Sequence, residues 1–245
     1  MHNGIDMKER NTRKTSRTTT AIQAGFGSGS RVYERASTRL GMTPGQYRKG
    51  GAGVEISWAT TSTALGLLMM AATDRGLCSI QMGDSERVLL RQLTAEFPNA
   101  VITPMQPRSK APRNQFRAWM LALAAHLEKS QALPELPLDI RGTAFQMQVW
   151  NYLLRIPAGE LRSYTEVAQA IGQPAAVRAV ASACAKNRIA IVVPCHRVIR
   201  GDGGLGGYRW GLARKRTLIE QERRMQAGDL NESSKAKRQA RQGNI

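Results

Sequence analysis

Apolar and polar positions change rhythm along this chain, and each change marks a block. From residue 54 onward, β-branched and aliphatic residues gather in short runs that predict three strands, around 54–59, 64–73 and 76–82. The period then lengthens to that of helices. One helix is predicted from near Asp84, with Leu89, Leu93 and Phe97 at spacings of four and Val88 beside them. A second, over 114–130, carries Phe116, Trp119, Met120, Leu123 and Leu127 at spacings of three and four, and a Pro-containing stretch at 133–138 reads as a connection. Residues 144–156 predict another helix, with Phe145, Val149, Trp150 and Leu153/Leu154 on one face and a stop at Pro157-Ala-Gly159. Ser163 and Glu166 form a capping-box pair that opens a short helix, and Gly172 closes it. Pro174 suits the first turn of the next helix, whose apolar stripe is Val177, Val180, Ala181 and Cys184. Two short helices around a Gly-containing turn outline a helix-turn-helix, and the second carries Arg178 and Lys186. Upstream, residues 21–49 show helical spacing, and Gly50, Gly51 and Gly53 read as a linker.

Charge adds a partner to this outline. The 245 residues carry a net charge of +18, with ten Lys/Arg against three Asp/Glu in residues 1–50, twenty against thirteen in 51–222, and six against two in 223–245. Both ends are basic and poor in large apolar residues, so 1–20 and 226–245 are expected to be disordered. From 178 to 216, Arg178, Lys186, Arg188, Arg197, Arg200, Arg209, Arg214, Lys215 and Arg216 face only Asp202, which points to a polyanion, nucleic acid first. No apolar run is long enough to span a bilayer and the N-terminus lacks the apolar stretch of a secretory signal, so a cytoplasmic protein is expected. Three cysteines without a C-x-x-C pair argue against a disulfide framework or a thiolate zinc cage. Cys78, Cys184, His2 and His126 form no ligand pattern, so neither metal nor cofactor is expected.

The strongest local signal is the run at 189–199, Ile-Ala-Ile-Val-Val-Pro-Cys-His-Arg-Val-Ile. Its β-branched residues predict a buried strand, and Pro194 suits a new helical turn, which would set Cys195 at a helix N-terminus. Unpaired N–H groups there favour a thiolate, the nucleophilic form of cysteine. His196 would serve as base or proton relay and Glu222 would orient it. The bland reading of the same residues is a packed thiol, a capping imidazole and a solvated carboxylate. Five glycines in residues 201–207 mean either a flexible linker or a backbone that approaches a ligand closely. Tyr208 and Trp210, just beyond, suit a flat, stackable ligand.

With these residues in place, the chain resembles the O6-alkylguanine-DNA alkyltransferases. The resemblance rests on VPCHRVI at 193–199, Asn187 before it, GxxGY ending at Tyr208, and Glu222, and upstream on Phe145 to Trp150, Pro157-Ala-Gly-Glu160, Ser163-Tyr164 and Ala175-Ala-Val-Arg178. It covers roughly residues 54–224. A segment with Gly25-Phe26, Ser30 and residues 41–47 resembles the end of an AraC-type helix-turn-helix, so the order of parts is similar to a truncated relative of the bacterial Ada proteins. The resemblance implies an α/β N-terminal domain over 54–138, ribonuclease H-like, and a mainly helical, winged-helix and helix-turn-helix catalytic domain over 139–225, after an AraC remnant at 21–50. It implies a monomer that moves an alkyl group from O6 of a flipped-out guanine, less readily from O4 of thymine, onto Cys195 once per molecule. His196 would pass the thiol proton through a water, Glu222 would hold the imidazole, Asn187 would brace the turn, and Tyr164 would protonate the departing base at N3. Arg178 would enter the base stack, with Ala179, Lys186 and Arg197 on the DNA. Tyr208, Arg209, Val198 and Trp210 would shape the pocket, Arg209 standing where relatives often have a small residue. Other readings are a damage sensor without transfer, a residual Ada-type transcription regulator, and a cysteine hydrolase.

Overall fold

Strand β2 (Gly66–Thr73) is buried on both faces, and its alternation divides the N-terminal block between two cores. Leu68, Met70 and Ala72 point to one side, where they pack with Phe116, Met120, Leu123 and Leu127 of the helix Pro112–Lys129. Met69 and Ala71 point to the other, against Ile56, Cys78 and the Leu89, Leu93 and Phe97 side of the helix Glu86–Glu96. These two helices are α1 (Glu86–Glu96) and α2 (Pro112–Lys129). Strands β1 (Glu55–Thr63) and β3 (Gly76–Gly83) flank β2 antiparallel, and a short β4 (Val101–Pro104) runs parallel to β1, giving the order β3-β2-β1-β4. The three expected strands and two helices are present. Strand β4 was not foreseen: it is four residues long, three of its four positions are exposed, and it ends in proline. Val88 lies on the exposed side of α1.

The computed structural model describes residues 49–105, 112–129, 133 and 135–242, all within one compact unit, Leu40–Ile245, and the side chains of 112–114 and 228–242 are left aside. The expected basic N-terminus at 1–20 and nearly all of the AraC-like stretch at 21–50 lie outside the described residues. No described helix is long and apolar enough to cross a membrane.

In the second block, α3 (Ala144–Leu153) begins with Thr143, whose hydroxyl accepts from the Gln146 amide while the Gln146 side chain accepts from the Thr143 amide. It buries Val149, Trp150 and Leu153, and the Trp150 indole donates to the Ala183 carbonyl at 3.0 Å. Leu154, expected on the same face, falls beyond the helix end and is exposed. Ser163 and Glu166 cap α4 (Tyr164–Ala170) in the expected capping box, and Gly172 ends the turn at φ +73. Pro174–Ala176 makes one 3₁₀ turn before α5 (Val177–Ala185). A two-stranded parallel ladder joins β5 (Arg162–Ser163) to β6 (Val198–Ile199), and α6 (Leu212–Gln242) follows. Helix α6 runs on where a disordered tail was expected from 226. The stretch is rich in Ala, Gln, Lys and Arg, which sustain a helix, and holds one glycine before Gln242.

The outer edge of β3 carries the connection between the blocks. The Leu77 amide donates to Pro137 and the Leu77 carbonyl accepts from Asp139; further along, Ile80 exchanges bonds with Arg188 and Ala190 at 2.8 and 2.9 Å. An open sheet edge is thus covered by the chain that leads to Cys195. Helix α6 reaches back to the same block. Arg214 donates to the Leu65 carbonyl at 2.7 Å and pairs with Asp84, and Gln221 Nε2 donates to the His126 and Leu127 carbonyls at the end of α2.

Candidate active site

The apolar run before Cys195 is buried but is not the strand its composition suggested. Apart from the single bridge between Ile189 and Ile80, it forms a tight turn with Ile191 at φ +72, a conformation that a β-branched residue adopts only under constraint. Asn187 supplies that constraint from inside the turn. Its Oδ1 accepts from the Ile189 amide at 2.9 Å, and its Nδ2 donates to the Val193 carbonyl at 2.8 Å and the Ile189 carbonyl at 3.3 Å. The same Nδ2 lies 3.1 Å from Cys195 Sγ.

Cys195 opens a single 3₁₀ turn, Cys195–Arg197, and not a helix, and its side chain is buried. The expected lowered thiol pKa is corrected accordingly. Burial pushes it up to about 11, against the opposing pull of the Asn187 hydrogen bond and the Lys215 charge. A thiol of this kind needs a base at the moment of reaction.

His196 is fully buried behind it, with Nε2 2.8 Å from Glu222 Oε1. Burial lowers the imidazole pKa in spite of the Glu222 contact, so the ring is neutral at pH 7. Burial alone would raise the Glu222 pKa, but hydrogen bonds from His196 and Arg197 outweigh it and hold the carboxyl at about 2. An ionised carboxylate facing Nε2 places the ring proton there and leaves Nδ1 as the basic nitrogen. Nδ1 has no hydrogen-bond partner among the described residues.

Arg197 also turns inward. Its Nε and Nη2 reach Glu222 at 2.9 and 2.8 Å, and its Nη1 donates to the Ile156 carbonyl. The expectation that Arg197 faces DNA is therefore corrected: its fork is used to fix Glu222. Gly159, read in the sequence only as part of a helix stop, donates its amide to Glu222 Oε2 at 3.0 Å.

Lys215 was counted among the polyanion-facing cations, yet it is fully buried. Its Nζ donates to the carbonyls of Val198 and Leu205, both at 2.5 Å, and more weakly to Gly207 at 3.4 Å. One ammonium thus ties β6 to the glycine-rich loop. Nothing in the sequence marks it, because lysine-to-carbonyl bonds have no spacing signature. Arg188, paired with Glu96, and Arg214, on Asp84, are likewise used inside the fold. Arg178, Lys186, Arg209 and Arg216 remain exposed, as does Ala179 on α5.

A cleft of about 660 Å³ opens between Tyr164, Ala181, Arg200, Gly206, Gly207, Tyr208, Gly211 and Leu212. Burial pushes the Tyr164 hydroxyl up to about 12 and raises Tyr208 well above its ordinary value, and the nearby Cys195 adds to both shifts. Gly206 sits at φ +65, and a Cβ there would lie 2.9 Å from the Tyr164 hydroxyl, so this loop packs its backbone against Tyr164 and is not a free linker. Trp210 is buried behind Tyr208 in an edge-on pair with centroids 5.1 Å apart, so it supports the wall and does not line the cleft. Val198 is core, and Arg209 is exposed beside the cleft. Among the described residues no group of three or more His, Cys, Asp or Glu could hold a metal ion.

Residues 144–224 match the family model described as 6-O-methylguanine DNA methyltransferase, DNA binding domain. The chain is 45% identical over 205 residues, 84% of its length, to the bifunctional transcriptional activator/DNA repair enzyme Ada of Escherichia coli, and spans 56% of that relative. It is 39% identical over 175 residues, 71% of its length, to a methylated-DNA–protein-cysteine methyltransferase of Mycolicibacterium paratuberculosis, of which it covers 97%. Its structure resembles that of Mycobacterium tuberculosis OGT in complex with DNA, with a TM-score of 0.56 at 36% identity over 70% of this chain and 94% of the other. Coverage of a whole relative at this identity, together with the Cys195, His196 and Glu222 geometry, makes the chain a member of the methylated-DNA–protein-cysteine methyltransferase family.

Proposed function

We propose that the protein repairs O6-alkylguanine in double-stranded DNA by moving the alkyl group onto Cys195. The observation that carries this is the arrangement of Cys195, Asn187, His196 and Glu222, in which a buried thiol lies next to a neutral imidazole whose distal nitrogen is fixed by an ionised carboxylate. His196 Nδ1 takes the thiol proton through an intervening water, and the sulfur attacks the alkyl carbon as the carbon–O6 bond breaks. The departing guanine anion is protonated at N3 by Tyr164, whose hydroxyl faces the cleft. The thioether is not hydrolysed, so each molecule acts once. O4-methylthymine is a poorer substrate of the same site.

The alkylated oxygen lies inside the duplex, so the nucleotide must leave the stack to meet a buried sulfur. Helices α4 and α5 form the helix-turn-helix that meets DNA, with Arg178 filling the vacated place, Ala179 beside it on α5 and Lys186 just past the helix end, all three exposed. The finer architecture we assign is a ribonuclease H-like first domain, supported by its antiparallel β1–β3 with a parallel β4, and a winged-helix second domain. The protein acts as a cytoplasmic monomer on DNA.

The test is a duplex with radiolabelled O6-methylguanine, followed by peptide mapping. One equivalent of label confined to Cys195, absent in Cys195→Ala while DNA affinity persists, is the expected result. Label transfer by the Cys195→Ala protein would overturn the mechanism.

A further inference from the structure

Of the nine cations between 178 and 216, four are used inside the fold, on Glu96, Glu222, Asp84 and the Lys215 carbonyls. Of the other five, only Arg200 lines the cleft. We propose that Arg200 is a positioning residue that grips the backbone phosphate of the extruded nucleotide at the cleft mouth, an inference that rests on the transfer reading above.

Three features support the assignment. The Arg200 backbone is rigid: it follows β6 directly, its amide donates to the Gly204 carbonyl at 2.8 Å, and its carbonyl accepts from Gly203 at 3.1 Å. Its stem lies beside Tyr164, since a Cβ on Gly206 would touch both the Tyr164 ring and Arg200 Cγ. Its guanidinium, by contrast, lies in solvent, with the side chain 63% exposed and one nitrogen on Asp202 at 2.9 Å. Asp202 is itself fixed by accepting the Gly204 amide, so it aims the guanidinium before DNA arrives. An exposed pair of this sort is worth little, so exchanging the aspartate for a phosphate costs little, and a guanidinium fork matches phosphate geometry. A purine held between Tyr164 and Tyr208 with O6 toward Cys195 leaves its sugar and phosphate at the mouth. A cation lining that mouth therefore meets the backbone and not the base.

The experiment compares Arg200→Gln with the parent protein on two substrates, a duplex containing O6-methylguanine and the free O6-methylguanine base, which has no phosphate. The ratio of duplex to free-base transfer rates should fall by about tenfold or more, as for loss of one hydrogen bond to a charged group. The slope of log affinity for the duplex against log salt should flatten by about 0.9, the value for one phosphate contact. Arg200→Lys should recover part of both as a point charge. An unchanged ratio with an unchanged slope overturns the proposal, and so does an equal loss on both substrates, which would make Arg200 a wall of the base pocket. If the parent protein transfers from neither substrate, the transfer reading fails instead, and the salt slope alone still judges the phosphate contact.

Discussion

Replacing Lys215 with methionine keeps the stem and removes the ammonium, which makes it a direct test of how the glycine-rich loop is held. In the parent protein, Nζ satisfies the carbonyls of Val198 and Leu205 and contributes to Gly207 in a fully buried position. Each buried acceptor left without a donor costs ~1–3 kcal/mol, so losing the two short bonds costs about 2–6 kcal/mol. For a chain of this size, each kcal/mol lowers the melting temperature by about 2–4 °C, so a fall of roughly 4–24 °C is expected. A second effect should appear at the sulfur. The Lys215 charge opposes the burial that raises the Cys195 pKa, so its removal should slow reaction with iodoacetamide at pH 8. Thermal melting by circular dichroism and timed thiol labelling read the two effects separately. A melting temperature within about 2 °C of the parent, with the labelling rate unchanged, would mean that the ammonium holds no carbonyls, and the argument would fail.

Other outcomes follow from the same geometry. Glu222 is held at about 2, so its stabilising contribution is complete above the ordinary carboxyl value of 4.5 and is lost as pH falls toward 2, which amounts to ~3 kcal/mol. His196, buried and neutral, acts in the same direction, its loss beginning as pH falls below the ordinary 6.5. Urea midpoints should therefore decline from pH 7 to pH 3, and a flat profile would contradict both assignments. Gly206→Ala places a Cβ 2.9 Å from the Tyr164 hydroxyl at a positive φ, so single-turnover transfer should slow at least tenfold, a cost of ~1.4 kcal/mol, which quench-flow would show. Arg197→Ala should lower the melting temperature by several degrees, because it removes the charged donor of Glu222, leaving His196 and Gly159, and the Arg197 bond to the Ile156 carbonyl, whereas Arg178→Ala should weaken duplex binding and leave melting alone. Equal melting temperatures for the two variants would undo the distinction.

What was legible in the sequence is what local chemistry determines. The Ser163/Glu166 capping box, the Gly172 stop and the strand β2 are decided within a few residues, and the structure has them where they were expected. The turn at 189–193 was misread because β-branched composition argues for a strand, whereas the outcome depends on Asn187 bonding across six residues to Val193. Arg197, Arg214 and Lys215 were misread for a related reason. Charge counts treat every cation as facing solvent, and only the folded chain shows which ones meet Glu222, Asp84 and the buried carbonyls. Cys195, His196, Glu222 and Asn187, singled out in the sequence, do lie together, but the electrostatics expected at Cys195 were inverted, since burial outweighs the end of a single 3₁₀ turn.

Helix α6 carries both Lys215 and Glu222, along with the Arg214 and Gln221 that grip the N-terminal block. During synthesis, the ribosome therefore adds Cys195 and His196 before the residues that complete their surroundings. A nascent chain with the thiol already outside the ribosome still lacks the carboxylate for His196 and the ammonium for the loop, and domains fold only as their last elements emerge. On the proposed single transfer to Cys195, this order of assembly holds back the thiol's full surroundings until the fold is complete. His196 gains its carboxylate partner only when α6 closes over it.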